Sequence, residues 1–156
     1  MDGRIDNQQK YENYKEQTMR LKKAINSCFY LEAIFIEYAI IEDRLESTLR
    51  HSGVKMDDGK FATLNSKLKK VEDIAREKKS VAHKYFKTEL IERVKEWKEE
   101  RNRLIHALMK QSLTTEELKK LAEEGQNIVK ILCSITTSYN RKMYKTSKKI
   151  EQGDLK

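Results

Sequence analysis

The stretch CFYLEAIFIEYAII, residues 28–41, decides the fold because its apolar side chains lie almost all the way round a helix. A helix of this kind is buried on every side, either at the centre of a domain or at a subunit interface. The residues that follow, EDRLESTLRH (42–51), are polar, and Gly53 is suited to the left-handed conformation that ends many helices. We therefore predict a buried helix over residues 27–51.

Four more helices are predicted on either side of this segment, because apolar residues recur at helical spacing in each of them. Their approximate bounds are 6–26, 61–79, 88–111 and 114–149, and the connector SVAHKYFK (80–87) is left unassigned. Thr88 is the expected N-cap of the fourth helix, and Thr114 with Glu117 has the pattern of a capping box. Gly125 lowers the helix propensity of the fifth helix by about 1 kcal/mol relative to alanine, which suggests a bend.

The composition agrees with an all-helical domain. Among the 156 residues there is no proline and there are five glycines, so few residues interrupt a helix. The length fits one domain, and no repeat or linker divides the chain. We predict an all-α bundle of about five antiparallel helices that forms a single domain over residues 1–156, with a basic C-terminal tail from about residue 140.

The charge and the cysteines limit the partners and the compartment. A formal net charge of +8 favours an anionic partner such as nucleic acid or a membrane surface. No apolar run is long enough to span a bilayer, and the first residues do not resemble a signal peptide. Cys28 and Cys133 lie among apolar residues and are expected to be buried free thiols. The histidines are far apart and no glycine-rich phosphate loop occurs, so we expect a cytoplasmic protein with no metal, no cofactor and no membrane partner.

A second stretch, KEERNRLIHALMK (98–110), places polar residues where a core is expected. The apolar stripe of this helix consists of Leu90, Val94, Trp97, Leu104, Ile105 and Leu108. On a helical wheel at about 100° per residue, Arg101 lies in the middle of that stripe, and Asn102 and His106 lie about 100° and 140° away. A buried arginine needs a carboxylate, a phosphate or a water-filled cleft, because an unpaired buried charge is strongly unfavourable.

Two carboxylates of the second helix are candidate partners for Arg101. Glu42 falls inside a predicted apolar stripe made of Leu31, Phe35, Tyr38, Leu45 and Leu49. Glu37, within the apolar segment itself, is the competing partner. An ion pair that only fixes the register of the two helices is the alternative to a functional role for Arg101.

The hexapeptide RNRLIH (101–106) resembles the Arg-x4-6-His motif of the HEPN superfamily, in which a small polar residue such as asparagine often follows the arginine. The all-α layout, with the motif on a helix in the second half of the chain, is also similar to that family. The resemblance implies a metal-independent ribonuclease of the toxin–antitoxin or phage-defence type, acting as a homodimer with two motifs in one cleft. Some members carry a tyrosine two residues after the histidine. Leu108 stands at that position here, which argues against regulation by modification of such a tyrosine.

The resemblance also implies roles for individual residues. Arg101, Asn102 and His106 are the expected catalytic residues, and Glu42 or Glu37 would hold Arg101 in place. Further RNA contacts are expected from Arg103, His83, Lys142 and Lys145. The expected partners are RNA, a second copy of the chain and an antitoxin protein. Two alternatives stay open: a non-catalytic helical dimer of the same superfamily that binds RNA or a protein, and a helical adaptor in which RNRLIH has no functional meaning.

Overall fold

The computed structural model describes residues 6–55 and 63–153 of the chain. Within these ranges it contains helices and no strand, so the prediction of an all-α bundle is confirmed. The helices are α1 Asn7–Asn26, α2 Tyr30–His51, α3 Leu64–Arg76, α4 Val81–Tyr85, α5 Thr88–Ala107 and α6 Thr115–Gly153. Phe61, the predicted start of the third helix, lies outside the described residues.

The contact between α2 and α6 forms the centre of the bundle. Glu37 faces Gly125 near the beginning of this contact, and the hydroxyl of Ser52 lies 2.6 Å from that of Tyr139 near its end. Residue numbers therefore increase together along the two helices, which run parallel. The predicted antiparallel arrangement does not apply to this central pair.

The helix α5 runs antiparallel to α6. Arg93, near its beginning, pairs with Glu124 at 2.9 Å, whereas Arg103, near its end, lies 3.5 Å from Glu117. Because α2 is parallel to α6, α5 is antiparallel to α2 as well. The helices α1 and α3 pack on other sides of α2.

The buried face of α2 differs from the predicted one in its first half. The buried apolar residues there are Tyr30, Ala33, Ile34, Ile36, Ile40 and Ile41. Leu31 and Phe35, members of the predicted stripe, are 42% and 73% exposed, whereas Leu45 and Leu49 are buried as predicted. The pattern was misleading because a segment that is apolar all round has no side distinguished by polarity.

Hydrogen bonds at the helix ends test the predicted caps. The backbone N–H of Glu117 donates to Thr114 Oγ1 at 3.2 Å and that of Thr114 donates to Glu117 Oε2 at 3.0 Å, so the capping box is confirmed. Gly53 has a φ of 72°, the left-handed conformation expected after α2. The prediction for Thr88 is wrong by one residue, since Lys87 is the N-cap of α5.

The unassigned connector contains the short helix α4. Ser80 caps it, because its hydroxyl accepts a hydrogen bond from the backbone N–H of His83 at 3.1 Å. Tyr85 and Phe86 pack edge-on against the ring of Tyr139, with centroid distances of 5.9 and 5.3 Å. The connection between α3 and α5 therefore packs against the C-terminal half of α6.

Glu37 is the most unusual residue of the core. It is 0% exposed, and neither carboxyl oxygen has a hydrogen-bond partner among the described residues. Gly125 makes room for it: a Cβ at residue 125 would lie 1.9 Å from Glu37 Oε2 and 2.8 Å from Trp97 Nε1. The glycine therefore has a packing role that helix propensity alone does not reveal.

Burial raises the pKa of Glu37 to about 9, from an ordinary value of 4.5. The carboxyl group keeps its proton at neutral pH, so the core contains a neutral acid and not a lone charge. The folded state holds this proton more tightly than the unfolded state does. The contribution of Glu37 to stability is therefore complete below about pH 4.5 and is lost as the pH rises through about 9.

Glu37→Gln should remove this pH dependence, because glutamine keeps the shape of the neutral acid and has no proton to lose. Between about pH 5 and about pH 9, the wild type should lose up to about 1.4 kcal/mol of unfolding free energy per pH unit relative to the variant. Urea unfolding of both proteins across that range measures the difference. Glu42→Gln is the control, since Glu42 lies on the same helix and already pairs with Lys67. Parallel profiles for the wild type and Glu37→Gln would mean that Glu37 is ionised in the folded protein.

Candidate functional site

Arg101 lies on α5 between two buried residues, Trp97 and Leu104, and is itself half-buried. Its guanidinium carbon is 4.2 Å from the centroid of the Tyr38 ring on α2, a cation–π contact. One of its terminal nitrogens donates to Asn102 Oδ1 at 3.2 Å. The arginine is therefore held by an aromatic ring and by a neighbouring amide.

The predicted ion pair between Arg101 and a glutamate of α2 does not occur in the structure. Glu42 Oε1 instead accepts a hydrogen bond from Lys67 Nζ on α3 at 3.1 Å. The carboxyl group of Glu37 lies against Gly125. The face of Tyr38 provides the favourable contact that a carboxylate was expected to give. Because no carboxylate of residues 6–55 or 63–153 pairs with it, the Arg101 guanidinium keeps donors for an anion.

His106 is exposed near the end of α5, and Asn102 is half-buried. The imidazole of His106 forms no hydrogen bond with another residue of the described ranges. Its position about 140° round the helix from Arg101 keeps the two side chains from meeting within one copy of the chain. The structure thus brings Arg101 and Asn102 together and leaves His106 apart.

Exposed apolar side chains flank Arg101. Leu31, Phe35 and Ile105, named here the apolar patch, are 42%, 73% and 38% exposed. Ile105 is one turn beyond Arg101 on α5, and since α5 is antiparallel to α2, it lies toward Phe35 and Leu31 rather than toward the end of α2. Phe35 also lines a groove of about 530 Å³ between α1 and α2. Exposed apolar side chains of this kind are what an interface with another chain would cover.

The opposite side of α5 is acidic. A groove of about 620 Å³ between α5 and α6 is lined by the glutamates Glu96, Glu100, Glu117, Glu123 and Glu124. Arg103, a predicted RNA contact, pairs with Glu100 at 2.6 Å and with Glu117 at 3.5 Å. Hydrogen bonding to Glu100 raises the pKa of Arg103. A polyanion would therefore approach Arg101 from the side of α2 and not across this groove.

The other predicted RNA contacts lie elsewhere in the molecule. Nδ1 of His83 is 2.8 Å from the carbonyl oxygen of Ala75, so this half-buried ring is attached to the end of α3. Lys142 and Lys145 are exposed on the C-terminal part of α6, at the end of the bundle opposite His106. The predicted contacts therefore do not form one surface within a single chain.

The two cysteines differ from each other. Cys28 is exposed, contrary to the prediction, and has a φ of 60° in the turn between α1 and α2. Cys133 is half-buried, and burial raises the pKa of its thiol. The apolar sequence around Cys28 did not reveal that the chain turns there.

A polar cluster between α1 and α2 was missed by sequence reasoning. Tyr14 donates a hydrogen bond to Asp43 and accepts one from Arg44 Nε at 2.7 Å. Arg44 also pairs with Asp43 at 2.7 Å and stacks on the Tyr14 ring at 4.3 Å. The only feature of the sequence that could have indicated this cluster is that Asp43 and Arg44 are adjacent in the polar half of α2. The cluster ties α1 to α2.

Comparison with protein-family models, with curated proteins and with solved structures found no match to this chain. Along the described ranges, no helix combines the length and the apolar character that crossing a membrane requires. In the same residues, no three side chains of His, Cys, Asp or Glu gather as ligands of a metal ion would.

Tyr38→Leu should release Arg101, because leucine has no π face for the guanidinium, whereas Tyr38→Phe keeps that face. The contact should contribute about 0.5–2 kcal/mol to stability. The Nε–H signal of Arg101 in NMR spectra, assigned by its loss in Arg101→Lys, reports on the contact. It should exchange slowly with solvent in the wild type and in Tyr38→Phe and quickly in Tyr38→Leu. Equal exchange in all three proteins would contradict the role given to the ring.

Proposed function

We propose that the chain is a metal-independent endoribonuclease of the HEPN type, a toxin or phage-defence effector whose partner is RNA. The observation that carries the proposal is the state of Arg101. It is half-buried on the face of Tyr38, has no carboxylate partner within the described residues and has Asn102 beside it. An arginine with a purely structural role would be expected in an ion pair. This one keeps its donors for a phosphate group.

The proposed chemistry uses the 2′-hydroxyl of RNA as the nucleophile. One His106 takes the proton of that hydroxyl, and the 2′-oxygen forms a bond to phosphorus while the bond from phosphorus to the 5′-oxygen breaks. A second His106 supplies the proton that the 5′-oxygen needs. Arg101 neutralises the charge that builds on the phosphoryl oxygens, and Asn102 orients Arg101. The products are a 2′,3′-cyclic phosphate and a 5′-hydroxyl.

The active form is proposed to be a homodimer. Because Arg101 and His106 diverge on one helix, two copies related by a two-fold axis are needed to bring both residue types into one cleft. The apolar patch, whose side chains are exposed on α2 and α5, is the surface proposed to make such a contact. Covering the patch would also remove the guanidinium from bulk water, which strengthens its interaction with phosphate.

A non-catalytic dimer of the same fold that binds RNA or a protein is the second candidate. The acidic groove beside α5 favours it, since the glutamates that line this groove, among them Glu100 and Glu117 beside Arg103, disfavour an RNA substrate on that side. The two candidates differ in whether His106 is needed for RNA cleavage.

Arg101→Ala and His106→Ala should each reduce cleavage of a mixed cellular RNA pool in EDTA by about a hundredfold or more. The wild type should leave cyclic-phosphate ends. Arg93→Ala, on the same helix, and His51→Ala, an exposed histidine elsewhere, are matched controls that should keep full activity. No cleavage by a folded, dimeric wild type would favour the non-catalytic candidate, and cleavage unaffected by both site variants would remove Arg101 and His106 from the active site.

Phe35→Glu should separate the dimer, because it places a charge in the middle of a surface that becomes buried. Analytical ultracentrifugation should show the wild type as a dimer and the variant as a folded monomer with a dissociation constant raised at least about a hundredfold. Tyr11→Glu, which changes another exposed aromatic on α1, is the control and should stay dimeric. A monomeric wild type would contradict the proposal of a shared cleft.

A further inference from the structure

The C-terminal half of α6 has a charge distribution that the proposed site does not explain. From Gly125 to Ile150 the sequence contains no aspartate or glutamate. Five exposed cations follow the buried part of the helix and are named here the basic stripe: Arg141, Lys142, Lys145, Lys148 and Lys149. At about 100° per residue they occupy an arc of about 120°, on the side away from the buried residues Leu132, Thr136 and Tyr139.

Neither ion pairing nor the helix dipole accounts for the basic stripe. Across the two described ranges, none of its five cations has a carboxylate within ion-pair distance, whereas Arg93, Lys95 and Arg103 on α5 each pair with a glutamate. Cations are favoured near a helix C-terminus only within about the last turn. Arg141 lies about three turns before Gly153, the last residue of α6.

A cation of α4 lies at the same end of the molecule. Tyr139 on α6 contacts Ser52 after α2 and Tyr85 in α4. Lys84 precedes Tyr85 and is exposed. The basic stripe therefore continues into a wider basic surface, at the end of the bundle opposite the acidic groove.

We propose that the basic stripe binds the phosphate backbone of single-stranded RNA. A row of exposed cations that form no ion pair within the described residues attracts a chain of phosphates, and binding releases the counterions of that chain. Tyr144, 60% exposed at the edge of the stripe, adds an aromatic ring. Lys148 Nζ lies 4.9 Å from the centroid of this ring, and a base that stacks on the same face takes the place of that contact. A single strand fits better than an RNA duplex, because stacking on a side chain needs bases that are not already paired.

A lipid surface is a poorer match for this part of α6. A helix that lies in a membrane interface needs a continuous apolar face opposite its basic face. The exposed large apolar residues here are Tyr144 and Ile150, and they lie about 120° apart round the helix. They do not form such a face.

The basic stripe lies far from Arg101 along the bundle. Arg103, close to Arg101 on α5, pairs with Glu117 near the beginning of α6. The candidate site therefore lies beside Glu117 along the axis of α6. From Glu117 to Lys142 the helix rises about 38 Å at about 1.5 Å per residue. A stacked strand covers that length with about 11 nucleotides at about 3.4 Å each. This inference rests on the proposed function: an RNA that contacts both the basic stripe and Arg101 must be longer than about 11 nucleotides. Longer RNAs should therefore be the better substrates.

The binding test uses a labelled, unstructured RNA of about 20 nucleotides in EDTA, with fluorescence anisotropy as the readout. All proteins carry His106→Ala so that the RNA stays intact. Lys142→Gln/Lys145→Gln should raise Kd about fivefold to tenfold at low salt. It should also lower the slope of log Kd against log salt by about 1.4, because each lost phosphate contact removes about 0.7.

Lys119→Gln/Lys120→Gln is the matched control, since it removes the same charge from the beginning of the same helix. It should change Kd less than about twofold. Equal weakening by both pairs, or weakening by neither, would overturn the proposal, with circular dichroism verifying that all variants are folded. Vesicles of phosphatidylserine and phosphatidylcholine are tested in parallel. Loss of vesicle binding in Lys142→Gln/Lys145→Gln, with RNA binding unchanged, would overturn the choice of RNA.

These experiments test RNA binding by the basic stripe and RNA cleavage at Arg101 independently of each other. A wild type that binds RNA through the basic stripe and cleaves none would keep the present proposal and remove the ribonuclease. In an active enzyme, kcat/KM for an RNA of about 20 nucleotides should exceed that for one of about 6 nucleotides by about tenfold. Lys142→Gln/Lys145→Gln should reduce that ratio to about twofold or less, and an unchanged ratio would overturn the role of the stripe in substrate length.

Discussion

The close approach of α2 to α6 is the constraint on which the other elements depend. Glu37 fits between the two helices because Gly125 has no side chain, and Trp97 on α5 closes the same space. This contact sets the register that later brings Ser52 to Tyr139, and Tyr139 in turn receives α4. A shift of one residue would place a side chain where the Glu37 carboxyl group now lies. The core therefore has little freedom to repack, because interiors this dense tolerate extra atoms poorly.

How well the sequence predicts this fold varies with the contrast between apolar and polar residues. In α3 the apolar residues Leu64, Leu68, Val71 and Ala75 recur at helical spacing with mostly polar residues between them, and all four are buried. In the first half of α2 that contrast is absent, and the buried face could not be identified. The parallel pairing of α2 with α6 also escaped prediction. It depends on how successive helices are arranged in space, and the periodicity within one helix carries no information about that.

Arg101 was placed correctly on its helix but was given the wrong neighbour on α2. The helical wheel placed Arg101 between Trp97 and Leu104, as the structure does. Its contact with Tyr38 in place of Glu42 depends on how α5 crosses α2, a property that no single-helix pattern contains. The π face of a tyrosine and a carboxylate both attract a guanidinium, yet only the carboxylate would neutralise it. The charge of Arg101 therefore remains available, while catalysis at RNRLIH stays a prediction.

The last turns of α6 receive little support from the rest of the molecule. After Met143 nearly every residue is exposed, so these turns depend on their own helix propensity. Like charges one turn apart, such as Arg141 with Lys145 and Lys145 with Lys149, each oppose the helix by about 0.2–0.5 kcal/mol. An anion that neutralises them relieves this repulsion. Opening of the last turns of α6 and binding of a polyanion to them are thus thermodynamically linked. Hydrogen exchange of the backbone amides in these turns should therefore slow when the anion binds.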